Sequence, residues 1–144
     1  MQGTPGVDFP GVGTGLVVLN GNQILLCKRL KAPEALHWSI PGGKVDHMEL
    51  SVDAAIRETF EETSLVIPSA TFLCLSEKII KADHQHWISS IFLADRFEGT
   101  PTLLEPDKLE ELGWFDLNAL PQPLSQFAID AVRALKTTRI NDGA

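Results

Sequence analysis

The stretch from Ser51 to Thr63 has one regular conformation that sorts its residues. Wound as an α-helix, it gathers Val52, Ala55, Ile56 and Thr59 or Phe60 into an apolar stripe and leaves its charges on other faces. Ser51 stands where an N-cap is expected, with Asp53 in the first turn. A helix with such a stripe needs an apolar surface to lie on, and the sequence on both sides offers strands. Gly13 to Leu19 and Gln23 to Leu30 are short apolar runs joined through Asn20-Gly21, residues that accept the positive φ of a tight hairpin. Trp38-Ser39-Ile40 reads as a further strand, ending in a bend at Pro41-Gly42-Gly43. Thr71 to Ile80 and Trp87 to Ala94 read as longer strands around a polar loop, Lys81 to His86. Glu98 to Glu111 reads as loop, and Trp114-Phe115-Asp116 as a last short strand. One helical turn is expected at Leu117 to Leu120. Ser125 to Lys136 makes a second amphipathic helix through Phe127, Ile129, Ala131, Val132 and Leu135. Helices alternating with strands in this way imply a mixed α/β layer structure.

A chain of 144 residues with 44% apolar content suits one domain with its own core. The pattern places that domain at 11–138, between flexible segments at 1–10 and 139–144. No apolar run reaches the length of a membrane span, and the first ten residues lack the layout of a secretory signal. Cys27 and Cys74 sit in apolar runs and are expected as buried thiols, which suits a reducing cytoplasm. Trp38 and Trp114 are expected to anchor the core. The formal net charge of −7 disfavours long nucleic acid as a partner, through repulsion. A small polyphosphate carried with a divalent cation is compatible with the same charge.

The local charge pattern is more informative. Glu58, Glu61 and Glu62 lie three and four residues apart and so converge on one patch of the helix. Three carboxylates there repel one another unless a cation lies among them, although a solvated acidic face would have the same spacing. Two features favour the cation. The acidic face is confined to one patch, and Arg57 stands four residues before Glu61, in register to brace its carboxylate. Hard divalent cations such as Mg²⁺ take a few carboxylates together with phosphates and water. The glycine bend just upstream adds a bare backbone carbonyl, and Glu49 lies between bend and helix.

Written together, these residues are Gly43-x5-Glu49-x7-Arg57-Glu58-x2-Glu61-Glu62-x2-Leu65. The segment resembles the Nudix box, the signature of the Nudix (MutT-like) hydrolases, and Trp38 to Gly43 is similar to the family's lead-in. By order of elements the resemblance runs from about Val12 to Leu135. It implies the Nudix fold, an α/β/α sandwich around a mixed β-sheet in which the box forms a loop–helix–loop. It also implies a magnesium enzyme, with manganese as a substitute, that cleaves a diphosphate bond in a small nucleotide-like substrate. By matching position, Glu58 and Glu62 would ligate the metal. Glu61 would ligate it or hold a metal-bound water, and the Gly42 carbonyl would complete the protein's share. Arg57 and Glu49 would orient these groups. Two positions depart from the family pattern: Thr59 stands where an aliphatic residue is usual, and Ser64 where a glycine is usual. Thr59 is expected to bring a modest packing cost or to make a local hydrogen bond. Ser64 either accepts a left-handed backbone or marks a different helix end.

Several features outside the box resemble the branch that converts nucleoside triphosphates to monophosphates and pyrophosphate. These are Val12 to Val18, Leu26-x-Lys28-Arg29, Glu105-Pro106-x-Lys108-x-Glu110, and Leu120-Pro121. Lys28 and Arg29 are candidates to reach phosphates, or are solvated strand-end cations. Glu110 and Glu111 are candidates for the general base, or belong to an ordinary acidic loop. His86 and Trp87 are candidates for the substrate edge or for base stacking, or simply pack the loop. His84 and His86 alone make a poor zinc site. ADP-ribose or a nucleotide sugar is the alternative substrate, and a non-catalytic nucleotide sensor is the alternative of another kind. A homodimer is expected only by analogy with the family.

Overall fold

The computed structural model describes the backbone of residues 2–143 and the side chains of residues 2–138. The remainder of the 139–144 segment lies outside the described side chains. Strand β1 (Gly11–Asn20) turns at Gly21, φ +63°, into β2 (Gln23–Arg29). The two pair antiparallel beside the turn, at Leu19↔Ile24 and Asn20↔Gln23. Further along, each takes a different partner. β3 (Trp38–Ser39) pairs with β2 through Cys27↔Ser39, and β4 (Gly42–Lys44) pairs with β1 through Gly15↔Gly42 and Thr14↔Gly43. The chain crosses from one strand to the other at Ile40-Pro41, and Leu16 N donates to Pro41 O at 2.9 Å.

On its other edge β1 runs parallel to β6 (Gln85–Ala94), which pairs antiparallel with β5 (Thr71–Ile80). β7 (Leu109–Asp116) pairs antiparallel along the whole of β2. The result is a seven-stranded mixed sheet. Helices α1 (Ser51–Thr63) and α2 (Gln126–Gly143) cover its two faces.

Alternation along β1 shows how both faces are served. Val17 and Leu19 join Ile24, Leu26, Ile91, Phe127, Ala131 and Leu135 in the core under α2. Leu16 and Val18 join Leu25, Ala55, Leu65 and Phe92 under α1. A strand buried on both sides reads as a continuous apolar run, and β1 does. Trp38 anchors the α2 side with its ring 4.9 Å from that of Phe115, and Trp114 packs on Phe97 at 5.2 Å. Cys27 is buried, whereas Cys74 is only partly so, and both are free thiols. Among the described residues no helix is long and apolar enough to cross a membrane.

The structure corrects several expectations. The Pro41-Gly42-Gly43 bend is also the start of a strand, because β1 supplies backbone partners to residues with no side chains of their own. β7 begins at Leu109, so Glu110 and Glu111 lie in a strand and not in a loop. The cap of α1 is Leu50 in an extended conformation, with no side-chain cap bond, and Ser51 is already in the first turn. Phe60 is half exposed, and Thr59 is the fully buried member of the stripe. Its hydroxyl donates to Ala55 O at 2.8 Å, the local bond expected of a polar residue buried in a helix. α2 continues past Lys136 to Gly143. Its start is capped by Ser125, whose hydroxyl accepts from Ala128 N at 3.0 Å.

Segment 2–10 forms a tight turn against the sheet, with His86 N donating to Gly6 O at 2.8 Å. Ser64 closes α1 in the left-handed region at φ 67°, and its amide donates to Phe60 O. A side chain there costs backbone energy that glycine does not incur. Ser64→Gly is therefore expected to raise stability by about 0.5–1 kcal/mol in urea unfolding, despite losing the exposed 3.3 Å bond from Ser64 Oγ to Thr100 O.

Candidate active site

The site forms where β1 and β2 part. α1 lies against β4, and its inner face there carries carboxylates instead of apolar groups. Gly43 lies in β4 under Glu58: a Cβ at Gly43 would stand 2.5 Å from Glu58 Cδ and 2.7 Å from both its oxygens. At Gly42 a Cβ would overlap Thr14 O and Gly15 Cα of β1. The two glycines let β4 pair with β1 and still admit the Glu58 carboxylate from above. Next along the helix, Glu62 is 7% exposed, and Gly42 N donates to its Oε1 at 3.2 Å.

Arg57 organises the outer carboxylates. Its Nε and Nη2 donate to the two oxygens of Glu49 at 2.8 and 2.9 Å, a paired fork. Nη1 donates to Glu58 Oε1 at 3.1 Å and to Glu61 Oε1 at 3.2 Å, and Nη2 also reaches Lys44 O at 3.3 Å. One guanidinium thus ties the loop before α1 to two residues of the helix. These bonds hold Arg57 charged, raising it further above its ordinary range, chiefly through Glu49. The hydrogen bonds from Arg57 lower Glu49 in turn. Burial raises Glu58 against the opposing pull of Arg57. Glu62 is pushed up to about 8, by burial first and by the neighbouring Glu58 second, with the Gly42 amide opposing.

A third acidic residue approaches from another direction. Thr102 N donates to Thr63 O and Leu104 N to Glu62 O, which fastens the segment before β7 to the end of α1. Glu105 is thereby brought to the rim of a cavity of about 290 Å³ that Glu58 and Glu62 also line. Its charge helps raise both of them. Lys31, Lys44, Lys108 and Arg29 line the same cavity, so an anionic floor is edged with cations. Lys108 Nζ lies 3.5 Å from Glu105 Oε2.

The same walls continue into a second lobe of about 330 Å³. Arg29, Ala32, Ser39, Ile40, Gly42, Gly43 and Lys44 line both lobes. Trp87, Lys78 and Phe127 line the second lobe and not the first.

Of the residues singled out by sequence, Glu58, Glu62, Gly42 and Arg29 line the carboxylate lobe, with Arg57, Glu49 and Glu61 bonded behind them. Trp87 lines the second lobe. Lys28 lines neither lobe; it stands 3.7 Å from Glu110 and over the Trp38 ring. Glu110 and Glu111 line neither lobe. His86 bonds Glu77 at 2.8 Å and, with His84, lines a separate groove that shares no residue with the carboxylate lobe. Sequence reasoning gave no role to Glu105, Lys31, Lys44, Lys78 or Lys108. Glu105 stood in a motif that was noticed, but only its tether to α1 brings it to the site.

Whether these groups suit a divalent cation can be judged from their chemistry. The donors are all oxygens, as hard cations require, and Glu62 is a buried carboxylate with no cationic partner bonded to it. In this arrangement Glu58 and Glu61 are turned onto Arg57. No group of three or more His, Cys, Asp or Glu among the described residues is already set to hold a metal. The residues fit the group in type and charge.

The fold agrees with the comparisons to known proteins. The NUDIX domain family model matches residues 9–135, and the chain belongs to the MutT-like Nudix hydrolase family. It is similar to the crystal structure of a MutT NUDIX hydrolase from Burkholderia pseudomallei, with 42% identity and a TM-score of 0.85 over 89% of this chain and 99% of that one. It is 33% identical over 113 residues to a Methanocaldococcus jannaschii protein named ADP-ribose pyrophosphatase, covering 78% of this chain and 66% of the relative. It is 29% identical over 105 residues to the Mus musculus 8-oxo-dGDP phosphatase NUDT18, covering 72% of this chain and 31% of the relative. The chain thus spans from about a third to two thirds of the length of these two curated relatives.

The burial of Glu62 has a consequence for stability. Its carboxyl titrates near 4.3 when unfolded and near 8 when folded, so folding favours the protonated form. The associated stability is complete below about pH 4.3 and is lost as pH rises through 8. Without divalent cations, Glu62→Gln should therefore melt higher than the parent at pH 8.5, by roughly 1–3 kcal/mol, and match it near pH 4. Equal melting at both pH values would refute this.

Proposed function

We propose that this chain is a Mg²⁺-dependent pyrophosphohydrolase that cleaves a diphosphate bond in a small nucleotide-like substrate. Its preferred reaction would convert a nucleoside triphosphate to monophosphate and pyrophosphate. The observation that carries the reading is a pair of carboxylates, the partly buried Glu58 and the buried Glu62, under a rim of lysines and arginine in a cleft with room beside it for a nucleoside. Carboxylates alone would repel a polyphosphate, and cations alone would bind it without acting on it. The two together suit a phosphate chain that arrives with a divalent cation.

In this reading Glu58, Glu62 and the Gly42 carbonyl hold the metal, with Glu61 as a further ligand or as the holder of a water. The bound cation would polarise the diphosphate and make water a better nucleophile. Arg57 holds Glu58 and Glu61 while Glu49 holds Arg57, which keeps the two carboxylates beside the site until a cation draws them from the guanidinium. Lys31, Lys44 and Lys108 neutralise phosphate oxygens outside the metal's reach. Glu105 is the carboxylate placed to take the proton from the attacking water: it stands at the cavity rim, whereas Glu110 and Glu111 stand outside it.

The resemblance to a protein named ADP-ribose pyrophosphatase favours a second reading, in which a terminal ribose phosphate replaces pyrophosphate as the leaving portion. A nucleotide sensor without turnover is disfavoured, since every box carboxylate is present.

Purified protein incubated with Mg²⁺ and a panel of nucleoside triphosphates, ADP-ribose and nucleotide sugars should release pyrophosphate from a triphosphate. EDTA should abolish the release, and Mg²⁺ or Mn²⁺ should restore it. Turnover of ADP-ribose alone would select the second reading, and binding without turnover the sensor. Glu62→Gln should lower kcat at least about a hundredfold while remaining folded.

The base assignment has its own test. Glu105→Gln should cost about 10²–10⁴ in kcat. A larger loss at Glu110→Gln or Glu111→Gln would return the role to those residues.

A further inference from the structure

The second lobe contains no acidic side chain, although the chain carries a formal charge of −7. Its cations are Arg29, Lys44 and Lys78. Lys44 and Arg29 stand at the junction with the carboxylate lobe, where phosphates are expected. Lys78 lines only the second lobe and needs a different explanation.

Lys78 is on β5, opposite Trp87 of β6, which is in turn opposite Gly11 of β1. One row along, Ser76 faces Ser89, which faces Gly13. Alternation puts these residues on the α2 side of the sheet, with Val17 and Ile91. The missing side chains of β1 make room for those of its neighbours: the Trp87 ring fills the space over Gly11, Ser89 Oγ that over Gly13, and the Phe127 ring of α2 that over Gly15. Trp87 forms a wall and is fixed there, because its indole N–H donates to Gln85 Oε1 at 2.8 Å. That bond occupies the acceptor of the Gln85 amide and leaves its NH₂ as the group available to a ligand.

The Lys78 side chain is only 10% exposed, and its Nζ is 3.7 Å from Glu34 Oε1 and 5.1 Å from the Phe127 ring centre. Glu34 stands behind Lys78 and does not line the lobe. Its Oε1 is buried and without a hydrogen-bond partner. A buried lysine beside an incompletely satisfied carboxylate is a costly arrangement for a purely structural purpose. It keeps an ammonium, a donor with no acceptor capacity, in the lining of the second lobe.

We infer that Lys78, with the Gln85 amide, determines base specificity by donating to an exocyclic carbonyl, so that the lobe takes keto bases (guanine or uracil type) over amino bases (adenine or cytosine type). Guanine and uracil present an oxygen where adenine and cytosine present an NH₂ group. An NH₂ group set against donors that cannot accept leaves both sides unpaired, and sites of that kind discriminate strongly. The assignment rests on the proposed nucleotide-cleaving function and specifies which nucleotide that function uses. Lys78 would contact the base and not the reacting phosphates.

The test separates this inference from that function. GMP, UMP, AMP and CMP are titrated into the full chain in EDTA by calorimetry, which reads the lobe without turnover. GMP and UMP are expected to bind at least about tenfold more tightly than AMP and CMP. Lys78→Met should bring the keto nucleotides to the level of the amino ones and leave AMP and CMP unchanged. Lys78→Gln, which can still donate to Glu34 and also offers an acceptor, should narrow the gap while melting near the parent, and it carries the test should the methionine variant not fold. Equal or tighter binding of AMP or CMP, a uniform loss across all four nucleotides in the variants, or no binding of any of them would overturn the inference. Triphosphate turnover without base preference would overturn it and leave the hydrolase reading intact. A keto preference in binding with no turnover on any substrate would do the reverse.

Discussion

Two like charges forced together under a helix organise this molecule. Glu58 and Glu62 are one turn apart on α1, both are at least partly drawn out of water, and the charge of Glu58 raises the affinity of Glu62 for a proton. The protein's own cation, Arg57, relieves Glu58 but is not bonded to Glu62. What lies beneath Glu62 is the amide of Gly42, a partial charge only. Other features of the region serve to hold this unfavourable pair in place. The glycines of β4 leave room for it, the Arg57–Glu49 fork stiffens its outer side, and the residues before β7 are laced to the end of α1 so that Glu105 adds a third negative charge. An arrangement that costs folding energy without a cation is one that a cation would stabilise.

The helix that carries the pair was legible from sequence to the residue, because its spacing leaves no other regular conformation and its ends coincide with a change of pattern. β1, β2 and β5 were legible for the same reason. The hairpin was marked by Asn20-Gly21, whose second residue does take the positive φ expected. β4 was not legible as a strand: Gly42 and Gly43 have no β preference, and their pairing comes entirely from β1. The first half of β7 was hidden because Pro106 and the charges around it read as loop, whereas β2 supplies a ladder along its full length. Ser51 looked like a cap, but Leu50 takes that place by backbone conformation alone.

The same division holds at the site. Residues within the box could be assembled because helical spacing fixes their relations over a few residues. Glu105 and Lys78 could not, since they reach the cleft through contacts between segments far apart in sequence. For Glu105 these are two backbone bonds to α1, and for Lys78 its register against Trp87. Glu110 and Glu111 were read as loop residues, whereas they lie in β7 and line neither lobe of the cleft.

β1 has partners of different kinds on its two edges. One edge carries β4 and, through it, the helix with the carboxylates; the other carries β6 and β5, with Trp87 and Lys78. The strand is therefore a partition with separate tenants on either side. Substitutions in β5 and β6 can remodel what the cleft accepts while the opposite edge stays untouched, and divergence of one need not disturb the other. A lineage inheriting this layout can exchange its diet without rebuilding its teeth.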